Sequence, residues 1–290
     1  MKKVVKLDWE LLAQVLLNYE AFSNKPPKSA KKKVPDSEKI RTHRKEFSQV
    51  AKTAAAVRGA FADIIAFVKD TTMFRRFSSQ LVAVLKADVI HDPGERTVEA
   101  GDVTLLETFD FNEKALLRRS CKAPYTIEAD RKKGMVTVDI PSFLTINTIN
   151  KHKQSTHFKL LVAVCAIDFD GHQTTSFFST SPAIKMDTVK TDTYKFEAKL
   201  APNETRHLFV SIGIAFLKIE HGREYTINGG KLNAMQICKV YPKVTVEELK
   251  ALSRKASNKK MLVNPTGKLQ SEREMLEALR IRLGLPKFED

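Results

Sequence analysis

The sequence predicts an α+β protein, mainly antiparallel β. An immunoglobulin- or fibronectin-like sandwich and a smaller β region follow an N-terminal helical hairpin, and helical arms flank the whole. Three observations point there. Apolar residues recur at helical spacing up to about residue 92, and the period changes to two from Arg96 onward. Strand-like runs separated by turn chemistry then crowd the stretch from Phe158 to Tyr241. Within it, Leu208 to Ile219 carries a single charge and is rich in β-branched and aromatic side chains, the pattern of a long central strand. One pleat face of that strand holds Leu208, Val210, Ile212, Ile214 and Phe216, and the other holds Phe209, Ser211, Gly213, Ala215 and Leu217. Both faces therefore need cover, and the small residues mid-strand allow a neighbouring layer to come close.

Residues 1–37 read as an amphipathic helix, Leu7 to Phe22, followed by a Pro- and Lys-rich linker with Pro26-Pro27, Lys31-Lys32-Lys33 and Pro35. Residues 38–92 form the hairpin. Its first helix, capped by Asp36 or Ser37, runs to about Lys69 with Phe47, Val50, Ala54, Val57, Phe61, Ile64, Ile65 and Val68 on one face. Gly59 weakens that helix or marks close packing. The second helix presents Phe74, Phe77, Leu81, Val84 and Leu85, and the combined apolar face suits a sheet.

The smaller β region, 93–150, contains a strand from Val103 to Phe111 and a hairpin of Tyr125–Asp130 with Met135–Ile140 around the turn Arg131-Lys132-Lys133-Gly134. Pro141 to Lys153 is a polar crossover. The sandwich, 151–242, takes the strands 158–169, 173–179, 194–200, 208–219, 224–227 and 234–241. The basic tail, 243–290, opens with Thr245 and Glu248 as a capping box, and Ser271 with Glu274 opens a second helix.

The 290 residues carry 49 Lys and Arg against 34 Asp and Glu, a net charge of +15. The excess is +6 over residues 1–50, +5 over 51–242 and +4 over 243–290, so the arms hold most of it. Such arms attract nucleic acid, anionic lipid or acidic protein surfaces without a fold-specific site. Cys121, Cys165 and Cys238 are widely separated among apolar neighbours and read as buried, reduced thiols; Cys121 follows Arg118-Arg119 and is still read as structural. No run approaches the roughly 18 apolar residues of a membrane span. Lys6, Asp8 and Glu10 argue against a secretory signal at the start, and a cytoplasmic protein is expected.

Several motifs resemble an uncharacterised family of hypothetical proteins from Bacteroidota, a domain of unknown function. They are Arg96-Thr97-Val98 with Leu105-Leu106-Glu107, Phe109-x-Phe111-Asn112, Ala123-Pro124-Tyr125, Ile140-Pro141-x-Phe143, Thr156-His157-Phe158-Lys159, Gly213-Ile214-x-Phe216 and Asn233-Ala234. The resemblance covers about residues 48–240. It implies a fold and no catalytic residue, and the two arms stand outside it.

No nucleophile elbow, phosphate-loop, dinucleotide or zinc-protease motif is present. Asp168, Asp170 and His172 alternate around Asp170-Gly171, where turn geometry alone selects Asp-Gly, so no metal is assigned and no cofactor is expected. The expectation is a non-enzymatic protein-binding or assembly protein whose arms engage a partner or another copy, with Trp9, Leu12, Leu16 and Tyr19 as anchors in a groove. The alternative is nucleic-acid binding by Lys28, Lys31, Lys32, Lys33, Arg41, Arg44 and Lys45. A second alternative is a ligand-binding or hydrolytic module in a gap beside Gly213.

Overall fold

Two long apolar strands have to be covered on both faces, and the architecture follows from that. A computed structural model describes residues 37–249 apart from His172. Internal contacts divide the chain into two units, Met1–His43 and Arg44–Asp290. The second unit is α+β with mostly antiparallel sheets. Among the described residues no helix is long and apolar enough to cross a membrane.

The larger sheet is built on β3 (His157–Asp168) and β7 (His207–Glu220), which pair antiparallel from His157↔Leu217 to Ile167↔His207. β4 (Gln173–Thr180) and the short β5 (Ile184–Lys185) pair with β3. On the other side of β7 lie β8 (Arg223–Thr226) and β9 (Ala234–Tyr241). The smaller sheet has the order β1 (Thr126–Asp130), β2 (Met135–Ile140), β6 (Tyr194–Lys199), so it takes strands from both sides of residue 150.

Side-chain alternation then builds two cores. Leu208, Val210, Ile212, Ile214 and Phe216 of β7 join the same face of β3 and pack on Val136, Val138, Ile140 and Phe196 of the smaller sheet. The opposite face, with Leu161, Ala163, Cys165 and Phe209, packs on helices α1 (Glu38–Ala60), α2 (Ala62–Phe67) and α3 (Met73–Lys86). The helical cover anticipated from periodicity is therefore present, and its second helix is fully amphipathic: Phe77, Leu81, Val84 and Leu85 are all buried.

The first helix breaks where continuity was expected. Phe61 (φ −99°, ψ 12°) separates α1 from α2 and sits edge-on to Phe77, Phe111 and Phe209 at ring distances of 5.8, 5.2 and 6.4 Å. A Cβ on Gly59 would touch nothing within 4 Å, so its low helix propensity, not close packing, is what it contributes just before the break.

A second correction concerns 103–111. Instead of a strand, Val103–Leu106 is a 3-10 turn opened by Asp102, whose carboxylate accepts from the Thr104 N–H at 3.0 Å and the Thr104 hydroxyl at 2.6 Å. Thr108 then adopts φ 66°, and residues 108–111 run along β9. The Thr108 and Phe111 N–H groups donate to the carbonyls of Ile237 and Met235, and the Ile237 N–H donates to the Phe109 carbonyl. The outer edge of β9 is covered in this way.

β9 carries a bulge. Val210 faces Lys239 while Ser211 faces Ile237, leaving Cys238 as the extra residue. The shift of parity lets both Ile237 and Val240 point into the helical core. Gly213 lies against this strand: a Cβ there would stand 2.6 Å from the Ala234 carbonyl oxygen and 2.8 Å from Met235 Cβ. The close approach foreseen for the small residues is thus lateral, by β9, and the space beside Gly213 is filled. Gly213→Ala should destabilise the fold by about 1–3 kcal/mol, read as a lowered urea midpoint with an unchanged slope.

Candidate functional site

Charged side chains gather at three places between the elements, and each cluster takes its shape from backbone groups that need partners. Asp70, following α2, accepts from the Thr72 N–H at 2.7 Å, the Thr72 hydroxyl at 2.8 Å, the Glu113 N–H at 3.0 Å and Arg76 Nη2 at 2.8 Å. Burial alone would raise its pKa; the Glu113 and Thr72 amides, the Thr72 hydroxyl and Arg76 outweigh it and hold the carboxyl at about 2. Arg76 also donates to the Asp110 carbonyl at 2.9 Å and lies 5.1 Å from the Phe109 ring centre.

Beside this clasp opens a cleft of about 290 Å³, lined by Arg76, Gln80, Glu107, Phe109, Asp110 and Glu113 among others. Burial raises the Asp110 pKa, against opposing hydrogen bonds from the Leu117 N–H and Gln236. Glu107 accepts from Lys239 Nζ at 2.8 Å and the Val240 N–H at 3.0 Å. Each carboxylate here fastens the 103–117 segment to α3 or β9, so the cleft is a seam with its charges engaged.

The second cluster joins Glu99, His207, Asp168 and Lys243. His207 is buried on β7, its Nδ1 accepts the Lys243 N–H at 2.9 Å, and its Nε2 lies 3.4 Å from Glu99 Oε1. Lys243 Nζ reaches the same carboxylate oxygen at 2.6 Å and Asp168 Oδ1 at 3.5 Å, while the Phe169 N–H donates to Glu99 Oε2. Burial pushes the Glu99 carboxyl up, but His207, Lys243 and the Phe169 amide bring it down to about 2. In the third, Asp88 follows α3 and accepts from the amides of Ile90, His91 and Thr97 and from His91 Nδ1, leaving Val89 and Ile90 exposed at the tip of that turn. Burial works against its charge and these bonds hold its carboxyl well below the usual range.

Arg131 is legible in the sequence only as a turn residue. Its guanidinium donates to the carbonyls of Glu204, Arg206, Tyr241 and Pro242 and so ties the β1–β2 hairpin to the start of β7 and the end of β9. Such long-range pairing leaves no local signal. Glu204 and Arg206 form a two-point ion pair at 2.8 and 2.7 Å, and Arg206 Nη1 reaches the Thr175 hydroxyl at 3.1 Å.

The three thiols are free. Burial raises Cys121 and Cys238 to about 11 and Cys165 to about 12, so they stay protonated at neutral pH. Cys165 Sγ donates to the Ala60 carbonyl. Among the described residues no group of three or more His, Cys, Asp or Glu could hold a metal ion.

Of the residues singled out from the sequence, Trp9, Leu12, Leu16, Tyr19, Lys28, Lys31, Lys32 and Lys33 lie outside the described residues. Arg41, Arg44 and Lys45 are exposed on α1, and Lys45 pairs with Glu95 at 3.6 Å. Thr245 and Glu248 do form the anticipated capping box: the Glu248 N–H donates to the Thr245 hydroxyl and the Thr245 N–H to the Glu248 carboxylate. Comparison with protein-family models, curated proteins and solved structures finds no match to this chain.

Because Asp70 has a depressed pKa in the folded state, its contribution is present above about pH 4 and is lost as pH falls toward 2. Asp70→Asn should cost about 1–2 kcal/mol at pH 7, allowing for solvent screening, and much less near pH 2. Urea unfolding at the two pH values checks the sign.

Proposed function

We propose that this chain is a non-enzymatic protein-binding or assembly protein. A packed body carries basic terminal arms, and the arms engage a protein partner or a second copy. The observation that carries the reading is how the charges of the body are engaged. Asp70, Asp88, Glu99, Glu107 and Arg131 satisfy backbone amides and carbonyls or pair with one another, the use that gives a fold specificity instead of a reactive group. Both faces of the central β3–β7 pair are likewise covered by the chain's own layers.

The stacking of two antiparallel sheets supports an immunoglobulin- or fibronectin-like sandwich as the β part of the body, with the helical layer added on its outer side. Free, protonated thiols fit a reducing, cytoplasmic setting. The likeness to the Bacteroidota family is one of structural residues. Phe111, Asn112, Phe143, Phe158, Phe216 and Asn233 are all buried, and Asn112 and Asn233 tie loops by side-chain hydrogen bonds.

In the arm reading, Trp9, Leu12, Leu16 and Tyr19 dock as one apolar stripe while the lysine-rich linker supplies long-range attraction. The paired substitution Leu12→Glu with Leu16→Glu in the full chain should abolish arm-dependent association in sedimentation velocity and leave the thermal midpoint unchanged. Association equal to wild type would remove this reading.

The charge of +15 supports a second one, nucleic-acid binding through the linker lysines with Arg41, Arg44 and Lys45, the last three being exposed. It predicts a complex with DNA or RNA of any sequence that weakens steeply with salt. A gel shift with no complex at low salt would reject it.

A further inference from the structure

Sheet edges are where a β protein meets other chains, because an outer strand presents a row of unpaired N–H and C=O groups. The described edges of this molecule are treated very differently. The outer side of β9 is covered by residues 108–111. β8 is short and carries Arg223 and Glu224. In the smaller sheet, the outer strands β1 and β6 carry Glu128 and Asp130, and Lys195, Glu197 and Lys199. β4 has none of these devices. Its sequence, Gln-Thr-Thr-Ser-Phe-Phe-Ser-Thr, has no charge and no proline, whereas every other described strand carries at least one charged residue. It pairs only with β3, and its first half, Gln173 to Ser176, is exposed.

Which backbone groups point outward follows from the register. The Ser181 N–H donates to the Leu160 carbonyl, just past the pair Leu161↔Thr180. By antiparallel alternation Ser179, Phe177, Thr175 and Gln173 direct their amides to β3. Thr174, Ser176, Phe178 and Thr180 direct theirs away from the sheet, and no backbone partner for them is found among the described residues.

We propose that this edge pairs with the same edge of a second copy, β4 against β4 and antiparallel about a twofold axis, so that the larger sheet runs on from one protomer into the other. The choice of a second copy rests on charge. Two chains of net charge +15 repel each other overall, and a strand with no charge of its own adds nothing to that repulsion where the two copies meet. A foreign strand would gain selectivity from paired charges, and β4 offers none; its Thr and Ser side chains instead match their own kind across an antiparallel pair. The arrangement also closes. Once the two β4 edges are joined, the other edges among the described residues are covered or charged, which favours a dimer over a fibre.

The test is the mass of the full chain in solution. Sedimentation equilibrium should return about twice the 32.7 kDa of one chain. Ser176→Pro removes an outward N–H without touching the ladder to β3, and Ser176→Lys sets like charges against each other across the axis. Either should raise the dimer dissociation constant more than about tenfold while far-UV circular dichroism stays as in wild type. If the proline variant misfolds, the lysine variant alone decides.

A monomeric wild type, or a dimer indifferent to Ser176→Lys, overturns the proposal. Slow amide exchange at Thr174 and Ser176 in a monomer would mean that a segment of the same chain occupies the edge, and it overturns the proposal equally. The Leu12→Glu, Leu16→Glu protein separates this idea from the arm reading. A dimer that survives those changes and is lost in Ser176→Lys keeps the edge and discards arm-driven self-association; the reverse result does the opposite.

Discussion

The constraint on which the rest depends is the two-sided burial of the β3–β7 pair. From Phe158 to Ile167 and from His207 to Leu217 every side chain except Lys159 is buried, and both pleat faces are involved. A sheet with one wet face would tolerate alternation of apolar and polar residues; this one cannot, so it needs a layer on each side. The chain supplies helices before the strands and a small sheet assembled from strands on either side of β3 in sequence. Fully burying side chains of this size contributes about 1.5–3 kcal/mol each, so no single clasp at the surface rivals it.

The polar groups have a different task. Layers brought together by non-directional burial still need fixed loops, and the buried carboxylates provide direction. Asp70, Asp88 and Glu99 each accept from two or more donors belonging to separate segments. Arg131 performs the converse service for carbonyls. An exception is Ser211, whose buried hydroxyl on the helical side of β7 finds no partner. It is small enough to sit under the helices, and nothing in the structure gives its oxygen a further role.

Much of this architecture is legible in the residues alone. The runs that form β2, β3, β4, β6, β7 and β9, the hairpin at Arg131–Gly134 and the capping box at Thr245 are all readable, because each is written in local periodicity or turn chemistry. The stretch 103–111 reads wrongly as a strand because Val103, Leu105, Phe109 and Phe111 alternate like one, while the Asx turn at Asp102 and the left-handed Thr108 prevail locally. The clasps are illegible for another reason. Arg131 with Pro242, or Asn112 with Asn233, are partners more than a hundred residues apart, and nothing at either position announces the other. The neutrality of β4 is plain in the sequence, but its place at the rim of the sheet depends on topology. The anchors assigned to the N-terminal arm lie outside the described residues, so their role rests on helical periodicity and charge alone.

The bulge at Cys238 has a consequence for how this chain can change length. Upstream of it the strand offers odd-numbered residues to the helices, and downstream an even-numbered one, Val240. Deleting Cys238 would restore regular pairing and leave every neighbour on its present face, Val240 opposite Phe209 on the helical side and Tyr241 opposite Leu208 on the other. Loops between the layers can lengthen or shorten, and within the span from Met235 to Tyr241 the bulge residue is the one position that can be lost with Met235, Ile237 and Val240 still filling the second core.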